Sequence, residues 1–244
     1  MIPRLTERAF KLLACTSVGG CLVEFGVYQG ASLVTIGKLA QKYLREVPPI
    51  YGFDSFEGMP STTEPLRGAL LQVYAEGAFK DTSLESVQER LKREGVRAKL
   101  VKGIFANLYP LMKYGIDNVR FAHVDADIYE GYRDALRLLT PHLQVGSVLL
   151  LDECIAPTDW RLQSIRDHGQ RAVREWEGET GFNLHLVRFE SAGPALCVIV
   201  DEEYLRRHWR VIEHLRRDSI TESLENVVKL ILRREPQLRR DLPV

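Results

Sequence analysis

CLVEFGVYQGASLVTIGKLAQKYL, residues 21–44, changes character twice. Its first seven residues form an apolar run with one acid near the end, the pattern of a strand buried on both faces. Its last fourteen place Leu33, Ile36, Ala40 and Tyr43 at helical spacing. Between them, Gly26 and Gly30 bracket Val-Tyr-Gln. Glycine in such a turn lets the backbone approach a ligand closely, and the helix that follows offers free N–H groups. Strand, glycine turn and helix in immediate succession are the opening of a βαβ unit.

The rest of the chain continues that rhythm. Further strands are predicted at 49–56, 98–104, 119–125, 147–153, 184–189 and 195–200, seven in all. Helices are predicted at 83–94, at 132–139 before Pro141, and across 160–176. In the first of these, Leu84, Val87 and Leu91 share a face, and Thr82 with Glu85 fits a capping box. Alternation of this kind predicts a mostly parallel sheet with helices on both faces. The last two strands are joined only by Ser-Ala-Gly-Pro at 191–194, too short for a crossover, so that pair turns back as an antiparallel hairpin.

Two segments break the rhythm. Residues 57–82 form a long or partly helical insertion, expected to act as a lid or substrate loop. Residues 202–244 read as two amphipathic helices, one carrying Leu205, Trp209 and Ile212, the other Leu224, Val227, Val228, Ile231 and Leu232. That tail either packs on its own domain or joins copies in a homo-oligomer. The expected organisation is one α/β domain over 1–200 and a helical extension over 201–244.

Composition removes several function classes. The chain has 244 residues, with 33 Lys+Arg against 33 Asp+Glu. Balanced charge supplies no field for nucleic acid or an acidic membrane. No apolar run approaches the roughly 20 residues of a membrane helix. The sequence at 12–15 loosely resembles a lipoprotein cleavage site, but Glu7, Arg8 and Lys11 interrupt the apolar stretch a signal peptide requires. Cys15, Cys21, Cys154 and Cys197 lack metal-ligand spacing and read as reduced, mostly buried thiols of a cytoplasmic protein.

The chemistry gathers at strand ends. In an open parallel sheet, ligands bind beyond the carboxyl ends of the strands. Four predicted strands end there in acids or glycines: Glu24, Gly26, Gly30 and Ser32 after the first; Asp54 and Ser55 after the second; Asp125 and Asp127 after the fourth; Asp152 and Glu153 after the fifth. Carboxylates converging on one edge repel unless something compensates them. Asp54 is placed to accept both hydroxyls of a ribose. The glycine turn lacks the middle glycine of a pyrophosphate loop, and no Gly-Lys-Ser/Thr follows. The first half therefore suits a nucleoside without a diphosphate. Asp125, Asp152 and Glu153 are hard oxygen donors with no accompanying His/Cys set, which suits Mg²⁺ or Mn²⁺. His123 shares a strand face with Phe121 and Asp125 and reads as a supporting residue rather than a ligand. For Asp127 alone, a solvated turn is the plain alternative to a proton acceptor.

EFGVYQGAS, GFDSFEGMP, VDADIYEGYRDAL and LLLDE, in this order, resemble the macrocin O-methyltransferase (TylF-like) family, over about residues 18–200. The resemblance implies a Rossmann-like class I methyltransferase fold, with a seven-stranded sheet and a reversed last strand. It also implies transfer of a methyl group from S-adenosylmethionine to a sugar hydroxyl, largely on antibiotic glycosides, with Mg²⁺. Carried over by position, Glu24, Gly26, Gly30, Ser32, Asp54 and Ser55 surround the donor, Asp125 holds metal, and Asp127 is the base. The family's paired aspartates match Asp152 and Glu153, and Glu153 departs from the pattern by one methylene. The N-terminus is short for the family's usual substrate-capping segment. Three other readings share parts of this pattern: a catechol-type O-methyltransferase, an NAD(P)-dependent oxidoreductase, and a binding protein that has kept the fold without the chemistry.

Overall fold

A computed structural model describes residues 2–64, 73–152, 163–189 and 194–217. Among them, seven strands form one sheet: β1 (Cys21–Phe25), β2 (Ile50–Asp54), β3 (Lys99–Lys102), β4 (Val119–Val124), β5 (Val148–Leu151), β6 (Leu184–Phe189) and β7 (Ala195–Ile199). Their order is β3-β2-β1-β4-β5-β7-β6. The first five run parallel. β7 inserts antiparallel between β5 and β6, which is the expected reversed last strand and hairpin.

The central strands are buried along their whole length, and their side chains alternate between two cores. On one face Leu22, Phe121, Leu150 and Val198 meet α1 (Ile2–Ala14), α2 (Ala31–Tyr43), α3 (Leu84–Arg93) and α6 (Glu202–Arg217). On the other, Phe25, Val124 and Leu151 meet α4 (Tyr129–Leu139) and α5 (Gln163–Thr180). Each fully buried Leu or Phe stabilises by about 1.5–3 kcal/mol, so both faces hold the sheet edge that carries the acids.

The structure departs from the sequence reading in three places. First, residues 2–14 form a helix that was not expected. Leu5, Ala9, Leu12 and Leu13 are buried, and Arg8 donates through Nη1 to the carbonyl of Leu215 in α6. Second, α3 is capped one residue later than predicted. Ser83 and Ser86 form the capping box, because the Thr82 hydroxyl donates instead to the carbonyl of Tyr28 at 2.8 Å. Third, α4 begins at Tyr129 rather than 132. In the C-terminal extension, Val211, Ile212 and Leu215 of α6 belong to the first core, whereas Trp209 is exposed. The second tail helix and the segment around 191–193 lie outside the described residues. Among the described residues Cys15, Cys21 and Cys197 are not joined in a disulfide, and Cys154 also lies outside. No helix among the described residues is long and apolar enough to cross a membrane.

Candidate active site

Strand register builds the site. Phe53, Phe25, Val124 and Leu151 are paired in one row across β2, β1, β4 and β5. The residue after each is Asp54, Gly26, Asp125 and Asp152. Backbone bonds continue past the row: Gly26 N–H donates to Phe53 O, Asp125 N–H to Phe25 O and Asp152 N–H to Val124 O, at 2.9–3.0 Å. Three carboxylates and one glycine are thus fixed side by side at the carboxyl edge. Gly26 has φ +86°, and a Cβ there would stand 1.8 Å from Asp125 O. Only glycine lets these two strand ends lie so close.

Asp54 organises the glycine turn. Its Oδ2 accepts from the backbone N–H groups of Val27 and Tyr28, both at 2.8 Å, and its Oδ1 accepts from Phe56 N–H at 2.7 Å. Ser55 closes the next turn by donating to Gly58 O at 2.9 Å. Both line a cavity of about 370 Å³, together with Gly26, Asp125, Asp127 and Asp152. Gly30 and Ser32 start α2 and are not among its walls.

Glu24 is also set apart from the cavity. It is fully buried within β1, and its Oε1 lies 2.7 Å from Nδ1 of His123 on β4. Glu24 and His123 are register partners, so alternation aims both side chains into the core. Burial opposes the imidazolium. The hydrogen bond and charge of Glu24, with help from Asp125 and Asp152, outweigh it and raise His123 to about 9.

The acids beyond the row are strongly perturbed. Burial, then the charges of Asp152 and Asp127, push Asp125 well above the usual carboxylate range. Burial, then Asp152 and Asp54, raise Asp127 to about 7. Asp127 also has φ +55°, an uncommon backbone for a residue with a side chain, though Asp tolerates it better than most. The turn is held from behind: Tyr132, fully buried, donates to Val124 O at 3.0 Å. A Cβ on Gly131 would come within 2.6 Å of Ala126 O.

The donor set fits a hard divalent cation in part. Asp125 and Asp152 are adjacent in the row, and Asp152 Oδ1 is buried with no hydrogen-bond partner. Among the described residues, no three His, Cys, Asp or Glu side chains form a ready metal cage. Glu153, the third expected ligand, lies outside them.

The sequence reading missed a second set of residues. Glu130, in the first turn of α4, accepts from Thr62 Oγ1, Thr63 N–H and Thr63 Oγ1 at 2.7–2.9 Å. Glu64 pairs with Arg171 at 2.6 Å, and the Arg171 guanidinium sits 3.9 Å from the Tyr129 ring centroid. The start of the 57–82 insertion is therefore clasped to α4 and α5. Glu130 lay within the DIYEGYRD stretch, but nothing in the sequence paired it with Thr62 and Thr63.

Strand order and an acid-rich carboxyl edge define a Rossmann-like methyltransferase fold. The chain belongs to the macrocin O-methyltransferase (TylF) family, which it matches over residues 4–174. It is 25% identical over 181 residues to 8-demethyl-8-(2,3-dimethoxy-alpha-L-rhamnosyl)-tetracenomycin-C 4'-O-methyltransferase of Streptomyces olivaceus, covering 72% of this chain and 65% of that protein. It is 23% identical over 142 residues to demethyldecarbamoylnovobiocin O-methyltransferase of Streptomyces niveus, covering 56% and 53%. The chain thus spans less than two thirds of the length of these curated relatives. Among solved structures, it resembles the calicheamicin methyltransferase CalS11, also described as a TDP-rhamnose 3'-O-methyltransferase. That superposition has a TM-score of 0.65 at 23% identity and covers 80% of this chain and 77% of the other.

Proposed function

We propose that this protein is an S-adenosylmethionine-dependent O-methyltransferase acting on a hydroxyl of a sugar or glycosylated small molecule, assisted by Mg²⁺ or Mn²⁺. The observation that carries the reading is the row of strand ends, where Asp54, Gly26, Asp125 and Asp152 stand side by side. The family membership agrees with it, as do the glycoside methyltransferases among the relatives.

S-adenosylmethionine supplies an activated methyl group, and a divalent cation lowers the pKa of a hydroxyl oxygen it polarises. The protein's own residues do the rest. Asp54 and the turn from Gly26 to Gly30 hold the donor's ribose and methionine ends beside the acids. Asp125 and Asp152 hold the cation, with Glu153 as the expected third donor. Asp127 accepts the hydroxyl proton as the new C–O bond forms and the C–S bond of the sulfonium breaks. Aligning oxygen and methyl group in line is where most of the rate gain lies. Glu24, facing His123, is assigned to stability and not to the donor.

The test is methyl transfer from labelled S-adenosylmethionine to glycosides, with and without EDTA. Loss of transfer in EDTA and its return with Mg²⁺ support the reading. Donor binding with unaltered transfer in EDTA sinks the metal. Binding of NAD(P) in place of S-adenosylmethionine sinks the methyltransferase.

A further inference from the structure

Among the described residues, four that carry side chains hold positive φ: Tyr28, Phe56, Phe79 and Asp127. Asp127 is the one with a proposed step in the reaction. At φ +55°, such a backbone persists only where its surroundings hold it. No hydrogen bond from the described residues reaches the Asp127 carboxylate. Its aim is therefore set by its backbone.

That backbone is tied on both sides of the turn. Before it, Asp125 N–H donates to Phe25 O at 2.9 Å, and inside it Ile128 N–H donates to Ala126 O at 2.6 Å. After it, the chain enters α4, whose N-cap residue Ile128 contributes no side-chain bond. The first N–H groups of a helix have no partner within the helix, so this end needs one from elsewhere. α5 supplies it: Tyr129 N–H donates to Nδ1 of His168 at 3.3 Å. His168 is buried, and because Nδ1 accepts, the ring proton sits on Nε2. The same face of α5 also grips the Tyr129 side chain. His168, Arg171, Ala172, Glu175 and Trp176 follow helical spacing, and Ala172 and Trp176 anchor that face in the second core. Glu175 accepts from the Tyr129 hydroxyl at 2.5 Å, and Arg171 covers the ring. Those charged contacts are exposed and contribute little. The His168 contact is buried and acts on the main chain, which runs directly back to Asp127.

Resting on the proposed function, we propose that His168 is a positioning residue for methyl transfer. By accepting from Tyr129 N–H it fixes the turn that aims the Asp127 carboxylate, and its effect on the rate passes through Asp127. The contrary view is that His168 only packs α5 against α4. Both views predict lower stability when His168 is lost. Only positioning predicts a loss of rate that depends on an intact Asp127, because a proton acceptor displaced by about 1 Å can cost roughly 10²-fold.

The test compares His168→Asn, His168→Gln and His168→Leu in the full chain, each alone and combined with Asp127→Asn. Asn sets its Oδ1 where Nδ1 stands, Gln reaches the Nε2 position, and Leu removes the acceptor. Single-turnover methyl transfer is measured at saturating S-adenosylmethionine and Mg²⁺, on a glycoside the unaltered protein methylates. His168→Leu and His168→Gln should each lower the rate by about tenfold or more, and His168→Asn by less than about threefold. Affinities for S-adenosylhomocysteine and Mg²⁺ should stay within about twofold. In the Asp127→Asn background, His168→Leu should change the residual rate by less than about twofold. Amide exchange at Tyr129, read by NMR, should quicken in His168→Leu and not in His168→Asn. Equal rates for the Asn and Gln variants, a full additional loss in the Asp127→Asn background, or unchanged Tyr129 exchange each overturn the inference and leave the methyltransferase reading standing. If His168→Leu does not fold, the contrast between Asn and Gln decides. If the unaltered protein transfers no methyl group, the methyltransferase reading fails first and this inference with it.

Discussion

Glu24 and His123 face each other 2.7 Å apart across β1 and β4, with no solvent exposure on either side chain. They sit one row behind Phe25 and Val124, inside the sheet's core rather than in the cavity. A buried pair of this kind contributes little net energy, but removing one partner leaves the other uncompensated, which costs about 3–5 kcal/mol. Glu24→Gln should therefore lower Tm by roughly 6–20 °C in a protein of this size. Donor affinity should change by less than about twofold, and Glu24→Met with His123→Leu should cost less than the two singles summed. A large loss of donor affinity at unchanged Tm would return Glu24 to the donor site.

Asp54 is already bonded to three backbone N–H groups, so its loss should act twice. Asp54→Ala removes the proposed ribose acceptor and releases the turn that carries Val27 and Tyr28. Hydrogen bonds to a charged acceptor are worth about 1.5–3 kcal/mol, so S-adenosylhomocysteine affinity should fall at least about tenfold by calorimetry. Unchanged affinity would remove Asp54 from the donor site.

Stability should fall as pH rises in the metal-free protein. Asp127 is raised from its ordinary 3.8 to about 7, and His123 from 6.5 to about 9. A group whose folded pKa lies above its unfolded value holds more protons when folded. Its stabilising effect is complete below the unfolded pKa and is lost as pH rises through the folded one. The two windows adjoin, one from 3.8 to about 7, the other from 6.5 to about 9. In EDTA, Tm should drop between about pH 5.5 and pH 8.5, and Mg²⁺ at the upper pH should recover part of it. A Tm that climbs over this range would mean the acids are not crowded as described.

The clasp between Glu130 and Thr62–Thr63 should govern the 57–82 insertion, proposed as a lid. Glu130→Ala removes three hydrogen bonds to the loop. Hydrogen exchange across 57–64 should speed up, and acceptor KM should rise about tenfold while donor affinity is retained. Exchange that ignores both the substitution and the ligands would argue against a lid.

Much of this site was legible from strand ends alone. Asp54, Asp125 and Asp152 fall one residue past buried apolar runs, and parallel strands of similar length bring such residues to one edge. The inward turn of Glu24 was readable in principle, because Leu22 and Glu24 share a face and His123 shares one with Phe121. The pairing needed the β1–β4 register, which the sequence does not state. α1 carried its own signal in the spacing of Leu5, Ala9, Leu12 and Leu13, despite Glu7, Arg8 and Lys11 between them. Thr82 and Ser83 are adjacent hydroxyls, and only the contact with Tyr28 decides which one caps α3. The left-handed backbones of Tyr28 and Phe79 depend on the fold around them, so nothing local marks them.

Methyl transfer as proposed depends above all on Asp127 as proton acceptor beside a cation on Asp125 and Asp152. The most direct measurement is the single-turnover methyl-transfer rate of Asp127→Asn, at saturating S-adenosylmethionine and Mg²⁺, on a glycoside the unaltered protein methylates. The substitution keeps shape and hydrogen-bonding capacity but cannot take up a proton near neutral pH. The rate should fall by about 10²–10⁴ with donor and metal affinities nearly unchanged, and a rise in pH should recover part of it. A normal rate at saturating metal would contradict the account and move the proton to another acceptor.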